Sequence, residues 1–417
     1  MMTQAFYTGI SGLKNNSAGI DVVSNNLANI DTIGFRGYDL EFSSLFESSI
    51  ATSFSDSDTI GKGVQVQASG MVQSQGPLAL SDRSTDLAIE GDGWFGVSDG
   101  EKTIYTRDGA FSIDANADLV TADGFHVLGT LSGNISDDNV LTNQLDEVKL
   151  GDVGQQQQLR FPKTLTYPPE ATTNAKFLAN LGVGFDPVSV GASVIDSQGN
   201  RNNLRLEFVK DPLQTPPGSQ YNVTATVKSL DGNILYDTQT GKVEFDAAGA
   251  LRSSTLTSID NNGTTVTIDM GTGYDGITSV NTPVMSGSSI TDGIMGGDLE
   301  GYSINKNAEV IATFTNGKQS SVGKIAIYHF TNDQGLTRLN GSRFEESANS
   351  GQATFFTDEN GQNIIGAQVR NFTLESSNIE MSYGLTELII LQRAYDANSK
   401  SITTADQMMQ KALNMDA

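Results

Sequence analysis

Large apolar residues recur at every seventh position near both ends of the 417-residue chain, and this repeat constrains the fold more than any other feature. Near the amino terminus the positions are Phe6, Leu13, Ile20 and Leu27, with Val23 and Ile30 three places after the last two. Near the carboxyl terminus they are Met381, Leu388, Tyr395, Ile402 and Met409, with Leu391 and Ala405 in the +3 register. This spacing is typical of a helix that packs along another helix. The two stripes predict terminal helices that pair, so that the middle of the chain is looped out.

The two predicted helices differ in intrinsic helix propensity. Gly9, Gly12 and Gly19 interrupt the first stripe, and each is a weaker helix former than alanine by up to ~1 kcal/mol. We therefore expect the first helix to be frayed when it is alone, whereas the second has a more favourable composition. Each stripe could instead pack onto the globular core of the protein. Both seams are narrow, however, which favours contact between helices over contact with a sheet.

The middle of the chain, from about residue 71 to 370, reads as β-structure. Alternating or β-branched runs are separated by Asp-Gly, Asn-Gly and Gly-rich turns, which is the pattern of antiparallel hairpins. Representative runs are 87–97, 204–209, 221–227, 264–270 and 323–330. The predicted fold is mainly β with terminal α-helices: the helices form a coiled coil, and the middle forms antiparallel β-sandwich or barrel domains inserted one within another.

Composition shifts divide this middle part. The sequence turns polar between about 131 and 175, shifts again at 282–289, and is Ser-rich over 43–66, as expected of boundaries and linkers. The predicted regions are a terminal coiled coil of 1–30 with 376–417, an extended arm or linker at 31–70, an inner β domain of 71–149 with 291–375, and an outer β domain of 150–290.

Charge and composition exclude several classes of partner. The formal net charge is −24, and no segment concentrates enough Lys or Arg to bind a run of phosphates, so nucleic acid is not expected as a partner. No apolar run approaches the ~18–20 residues that cross a bilayer, so we expect no membrane-spanning segment. The first residues lack the features of a secretory signal. Because the chain has no cysteine, it has neither disulfides nor thiolate metal sites.

Three short patterns imitate catalytic or metal sites, and the neighbouring residues argue against each. Residues 96–100 match G-x-S-x-G, but a return strand follows where a nucleophile elbow needs a helix. Residues 271–276 match G-x-G-x-x-G without a following helix. Asp114, Asn116 and Asp118 begin like a calcium loop, which then lacks its glycine and its bidentate Glu. With only two histidines, the sequence predicts no enzyme, no cofactor and no metal, although a glycosidase-like pair of carboxylates stays open.

The ends of the chain resemble the flagellar rod and hook protein family. Residues 24–36, SNNLANIDTIGFR, are similar to its Asn-Asn-x-Ala-Asn signature running into Thr-x-Gly-Phe, and residues 376–409 are similar to its partner helix. The positions that carry the motif are Asn25, Asn26, Ala28, Asn29, Gly34, Phe35, Gln392, Arg393, Tyr395 and Asn398. Residues 86–97 with 105–114 resemble the inner domain of the family, and residues 192–209 with 243–251 resemble the outer domain of its hook type.

The resemblance implies a structural subunit of the flagellar hook. Such subunits polymerise into a curved helical tube, a flexible universal joint that transmits motor torque from rod to filament. The seam residues would then lie at subunit interfaces. Implied partners are further copies of the chain, the rod, the hook cap, the hook–filament junction proteins and the export apparatus, and the implied location is the extracellular hook, reached without a cleaved signal peptide. A distal rod protein or another flagellar axial protein is the alternative, and a secreted β-rich adhesin is a more distant one.

Overall fold

The computed structural model describes residues 2–46, 61–213 and 218–415. It begins with helix α1 (Met2–Ala28), ends with helix α2 (Met381–Met415), and is built mainly of β-strands between them. The predicted fold class is confirmed: one helix precedes and one helix follows several sheets in the sequence, and the sheets are almost entirely antiparallel. The two helices pack on each other, so the ends of the described chain do meet.

The segment after α1 differs from the expected linker. Strands β1 (Tyr38–Phe46) and β2 (Gly61–Met71) form an antiparallel hairpin instead of an extended arm. This hairpin lies along α1, where the Asn15 Oδ1 atom accepts a hydrogen bond from the Val66 amide at 3.1 Å. The Ser-rich composition concealed strands that α1 stabilises through side chains. The residues between the two strands, 47–60, lie outside the described part of the chain.

The inner β domain is assembled from two distant stretches of sequence. The first contributes β3 (Leu78–Leu80), β4 (Leu87–Glu90), β5 (Trp94–Ser98), β6 (Thr103–Thr106), β7 (Phe111–Ile113), β8 (Leu119–Thr121), β9 (His126–Leu131), β10 (Gln157–Gln158) and β11 (Thr166–Tyr167). The predicted outer boundary at residue 150 falls before the end of this domain, because β10 pairs with β9 and Tyr167 lies in the inner core.

The outer β domain is a two-sheet sandwich. Its strands are β12 (Asn174–Asn180), β13 (Val188–Ile195), β14 (Arg201–Lys210), β15 (Ser219–Ser229), β16 (Leu235–Phe245), β17 (Leu251–Ser254), β18 (Ser258–Asn261), β19 (Thr264–Asp269), β20 (Gly271–Thr272), β21 (Asp275–Thr278) and β22 (Met285–Thr291). Strands β13 to β17 form a meander. In β14, Leu204, Leu206 and Phe208 are buried while the residues between them are exposed, so period-two alternation places one face on the core.

The chain then returns to the inner domain. It does so through β23 (Gly297–Ile304), β24 (Glu309–Phe314), β25 (Gln319–Ile325), β26 (Ile327–Tyr328), β27 (Thr337–Arg338), β28 (Arg343–Glu345), β29 (Phe356–Thr357), β30 (Asn363–Ile364), β31 (Gln368–Asn371) and β32 (Thr373–Glu375). Strands from both stretches join in one large sheet, in which β25 pairs with β9 and β26 pairs with β5. The inner core and the outer core are separate clusters of buried residues.

Candidate functional site: the helix pair and its junction with the inner domain

The interface between α1 and α2 is built on the glycines of α1. A Cβ atom at Gly9 would lie 2.7 Å from Ile402 Cγ1, and one at Gly12 would lie 2.6 Å from the side-chain nitrogen Nδ2 of Asn398. Gly19 faces Leu391 in the same way, at 3.1 Å. The partner positions fall along α2 as the glycines rise along α1, so the helices are antiparallel. The glycines that weaken α1 as an isolated helix are therefore the residues that allow α2 to approach.

The predicted seam residues divide into two groups. Those that are buried or half-buried are Phe6, Leu13, Ile20, Val23, Leu27, Ile30, Leu388, Leu391, Ile402, Ala405 and Met409. Met381 and Tyr395 are exposed instead. The drift of a seven-residue repeat on a straight helix, ~20° per heptad, does not account for this, because exposed Tyr395 lies between half-buried Leu388 and Ile402 in the same register. Gly384 and Asn398, which the apolar pattern missed, complete the buried side of α2.

The other side of α2 exposes large apolar side chains. Tyr383, Leu385, Ile389 and Ile390 are all exposed in the first turns of the helix, and Ile390 has 61% of its surface free. On α1, Tyr7 and Ile10 are also exposed. Large apolar side chains that are exposed close together on one helix mark an interaction site more often than scattered single residues do. We call the four residues of α2 the outward face.

The asparagines of the signature organise the exit from α1. Asn26 pairs with the backbone of Tyr38: its side-chain nitrogen donates to the Tyr38 carbonyl at 2.8 Å, and its oxygen accepts from the Tyr38 amide at 3.1 Å. Asn29 donates to the Asn25 carbonyl at 2.8 Å and accepts from the Thr32 hydroxyl at 3.1 Å. The Asn26 bonds join the end of the helix to the hairpin, the Asn29 bonds hold the turn that follows α1, and Ala28 is exposed.

Gly34 and Phe35 fix the chain against the inner domain. Gly34 has φ +64°, and a Cβ there would lie 2.4 Å from the backbone nitrogen of Asp108. Only glycine accepts both conditions without strain. Phe35 is buried, and the Arg338 guanidinium lies 4.5 Å from the centre of its ring. The Gly-Phe of the signature is therefore explained by one backbone contact and one buried ring.

A cluster of buried charged side chains adjoins this turn. Glu375, the last residue of β32, accepts from Arg36 at 2.8 Å and from Arg107 at 3.2 Å, and all three side chains are at most 4% exposed. The same carboxylate accepts from the Gly76 amide at 3.0 Å, while the Glu375 carbonyl accepts from the Gly34 amide at 2.7 Å. We call Arg36, Arg107 and Glu375 the junction cluster. It joins the exit of α1, the inner domain and the approach to α2 at one point.

Electrostatics at the junction cluster follow from its burial. Removal from water lowers the pKa of the Arg107 guanidinium to about 10, against the opposing effect of Glu375. Burial also lowers the pKa of Arg36, again opposed by Glu375. Arg107 stays charged at neutral pH, donates to the Gly91 carbonyl at 2.8 Å, and lies 5.5 Å from the Trp94 ring. Two buried cations thus depend chiefly on one carboxylate.

Asn378 ties the start of α2 to the hairpin. Its side-chain oxygen accepts from the Gly37 amide at 2.9 Å, and its nitrogen donates to the carbonyls of Val72 and Ser74, both at 2.9 Å. The apolar pattern gave no signal for Arg107, Glu375 or Asn378, because their role depends on contacts between distant segments. The motif residues of α2 are mixed: Asn398 faces α1, whereas Gln392, Arg393 and Tyr395 are exposed.

The short patterns that imitate active sites are hairpin turns. Ser98 accepts a hydrogen bond from the Gly100 amide at 3.0 Å between β5 and β6, and residues 271–276 form the β20–β21 hairpin. The Asp114 carboxylate accepts from the amides of Asn116 at 2.8 Å and Asp118 at 2.9 Å. Across the described ranges, no group of three or more His, Cys, Asp or Glu side chains is arranged to hold a metal ion.

Four family models match the chain, and together they cover more than half of it. They are Flagella basal body rod protein over residues 6–36, Flagellar hook protein FlgE/F/G D1 domain over 88–161, Flagellar basal body protein FlaE D2 domain over 189–294, and Flagellar basal body rod FlgEFG protein C-terminal over 371–415. Among similar proteins, the flagellar hook protein FlgE of Borreliella burgdorferi is 29% identical, with 99% of this chain and 100% of the relative covered. The flagellar hook protein of Treponema pallidum is 27% identical over the same shares. The chain belongs to the flagellar hook protein family.

Solved structures agree on the fold of this hook-family chain. The crystal structure of the Helicobacter pylori flagellar hook protein FlgE2 is similar with a TM-score of 0.51, at 16% identity, over 72% of this chain and all of that one. In the described part of the chain, neither α1 nor α2 has the length and apolarity to cross a bilayer. The first matched model ends at residue 36 and the last begins at 371, so the models that cover the helices also reach the junction cluster.

Proposed function

We propose that this hook-family chain is a structural subunit that polymerises through the outward face of α2 into the flagellar hook. The proposal rests on the observation that the two sides of α2 differ. One side is closed against the glycines of α1, and the other presents Tyr383, Leu385, Ile389 and Ile390 to solvent. Because the inner side is already occupied within one chain, contacts between copies fall to the outward face. Burial of each such side chain contributes ~1.5–3 kcal/mol.

The polymer is an open helix. In the proposed polymer, the outward face of one copy meets a different surface of the next copy, and such heterologous contacts propagate instead of closing. The resulting curved tube acts as a flexible universal joint that transmits torque from rod to filament. Its further partners are the rod, the hook cap, the hook–filament junction proteins and the export apparatus, and its location is the extracellular hook.

The predicted seam residues enter this proposal in a changed role. Residues such as Leu391 and Ile402 hold α1 and α2 together within one subunit, and they act on the polymer by presenting the outward face in one orientation. Exposed Met381 and Tyr395 are contact residues between copies. Among the family motif residues, Asn26 bonds the α1 helix to the hairpin, and Gly34 and Phe35 attach the exit of α1 to the inner domain.

The test introduces one charge on the outward face. Ile390→Asp should abolish hook formation, because it places a carboxylate in an apolar interface, while the folded monomer keeps the stability of the wild type. Hooks would be counted on electron micrographs of cells lacking the native protein, and monomer stability would be measured by denaturation. Ser401→Asp, at an exposed position of the same helix, is the control and should form hooks. Normal hooks from Ile390→Asp would refute the proposal.

A further inference from the structure

One corner of the inner domain combines a strained aromatic residue with a nearly bare leucine. Strand β31 pairs with β4, the next strand β32 pairs with β3, and Phe372 is the single residue between β31 and β32. The chain changes partner strands at this residue. Leu80, at the end of β3, pairs with Thr373, and the Ser81 amide donates to the Phe372 carbonyl at 2.8 Å. The backbones of Leu80 and Phe372 therefore lie close together, and both side chains are exposed.

Phe372 adopts a backbone conformation that disfavours it. Its φ is +52°, in the left-handed region where a bulky side chain is a genuine outlier and glycine is the unstrained choice. The change of partner strand explains why the backbone turns here, but it does not explain an aromatic side chain. That side chain is also 42% exposed, so packing within the chain compensates only part of the strain. Strained residues of this kind cluster where a surface has a function.

Leu80 has even less contact with its own chain. It is 91% exposed, although it lies in a strand held on one side by β32. Two of the charges near it are paired with each other, since the buried Asp86 carboxylate accepts from Arg83 at 3.1 Å and also from Ser81, while Asp82 is exposed. The two exposed side chains at this corner, Leu80 and Phe372, are large and apolar, which suits an apolar protein surface better than an ion or a charged polymer.

We propose that Leu80 and Phe372 form a contact site for a second copy of this chain in the assembled hook. This inference rests on the proposed polymer. With a net charge of −24 per copy, most of the surfaces of two copies repel each other, so contacts between copies have to be stabilised where large apolar side chains are exposed. The corner also lies three residues before Glu375, which bonds Arg36 and Arg107. A copy that binds there therefore presses on the part of the domain that the junction cluster fixes to both helices.

The absence of cysteine allows a direct test. Leu80→Cys introduces a single thiol, and Leu213→Cys is a matched control because Leu213 is 90% exposed in the outer domain. Intact hooks and dissociated subunits of each variant would be treated with a small maleimide, and labelling rates compared. We expect the thiol of Leu80→Cys to react at least about tenfold more slowly in hooks than in subunits, which corresponds to a contact free energy of about 1.4 kcal/mol. The thiol of Leu213→Cys should react at similar rates in hooks and in subunits.

Several outcomes would overturn the inference. Equal rates at position 80 in hooks and subunits would show that the corner stays free, and equal protection at positions 80 and 213 would contradict a contact specific to the corner. Full labelling of position 80 in hooks, combined with loss of filaments from hooks of Leu80→Ser, would assign the corner to another flagellar protein. If the wild-type chain formed no hooks at all, the proposed function would fail first, so the two failures are distinguishable.

A second variant separates assembly from folding. Phe372→Gly removes the backbone strain and the exposed ring together, so the monomer should keep a denaturation midpoint at or above that of the wild type. Hook assembly should nevertheless weaken, seen as shorter or fewer hooks at equal expression. Unchanged hook number and length with this variant would contradict a contact through the ring, and a lowered midpoint would contradict the strain.

Discussion

Replacement of Glu375 by glutamine tests whether the junction cluster holds the inner domain together. The carboxylate neutralises Arg36 and Arg107 where all three groups are at most 4% exposed. Loss of one partner from a buried ion pair leaves uncompensated charge and costs roughly 3–5 kcal/mol. Here two cations lose their shared anion, and the Gly76 amide loses a charged acceptor. We expect Glu375→Gln to lower the free energy of unfolding of the inner domain by about 3–5 kcal/mol.

The chain contains a reporter for this change. Trp94 is its only tryptophan, its ring lies 5.5 Å from the Arg107 guanidinium, and its indole nitrogen donates to Asp333 at 3.2 Å. Denaturant unfolding followed by tryptophan fluorescence therefore reports the inner domain, which contains this ring in its core.

A matched control separates burial from ion pairing as such. Glu90 makes a two-point ion pair with Arg370, at 2.7 and 3.0 Å, but both side chains are largely exposed. Exposed pairs contribute about 0–1 kcal/mol, so Glu90→Gln should shift the midpoint only slightly. A loss below about 1 kcal/mol for Glu375→Gln, similar to that of the control, would refute the role of the cluster.

Three further predictions follow from single residues. Gly34→Ala should destabilise the chain by at least about 2 kcal/mol, because φ is +64° and the new methyl would meet the backbone of Asp108; Gly361→Ala, with positive φ and open space, should cost less in the same denaturation experiment. Leu388→Asp should abolish hooks on electron micrographs while the β domains stay folded by circular dichroism, since it separates α2 from α1; normal hooks would argue against the helix pair. Burial lowers the pKa of His329 from its ordinary value of 6.5, so the folded state binds fewer protons than the unfolded state and stability falls as the pH drops below about 6.5. His329→Gln, whose amide can still donate a hydrogen bond, should lose less stability between about pH 7 and pH 5, measured as denaturation midpoints; an equal loss would contradict the assignment.

The sequence predicted the secondary-structure elements better than the tertiary contacts between them. Apolar repeats and turn residues are local signals, so the helices at both ends and the β-rich middle were recognisable without tertiary contacts. The hairpin at 38–71 was not, because its strands lie in polar sequence and are stabilised by Ser11 and Asn15 of α1. The outward face of α2 was also missed. A repeat of seven indicates that a helix has an apolar side, but it does not show that a second apolar side remains exposed.

In the candidate site, motif residues could be recognised from the sequence, but the residues that they contact could not. Gly34 and Phe35 were recognised as motif residues, yet their partners, Asp108 and Arg338, lie far away in sequence and carry no periodic signal. Glu375 is more extreme, because an acidic residue beside polar neighbours reads as solvent-exposed in a chain with 49 acids. Only the folded structure shows that it is buried and bound to two arginines, since burial of a charge depends on partners that three separate segments supply.

The two connections of the inner domain differ in strength, and that difference suits a bending tube. Towards the helices, buried charges bond at the junction cluster, and breaking them is costly. Towards the outer domain, two chain segments meet through the backbone pair of Glu170 and Ile294 and through exposed hydrogen bonds from Thr173 to Asp292, the shortest at 2.6 Å. Exposed hydrogen bonds of this kind contribute roughly 0.5–1.5 kcal/mol each. Under torque, the helix pair and inner domain therefore act as one unit, while the orientation of the outer domain is the first to yield.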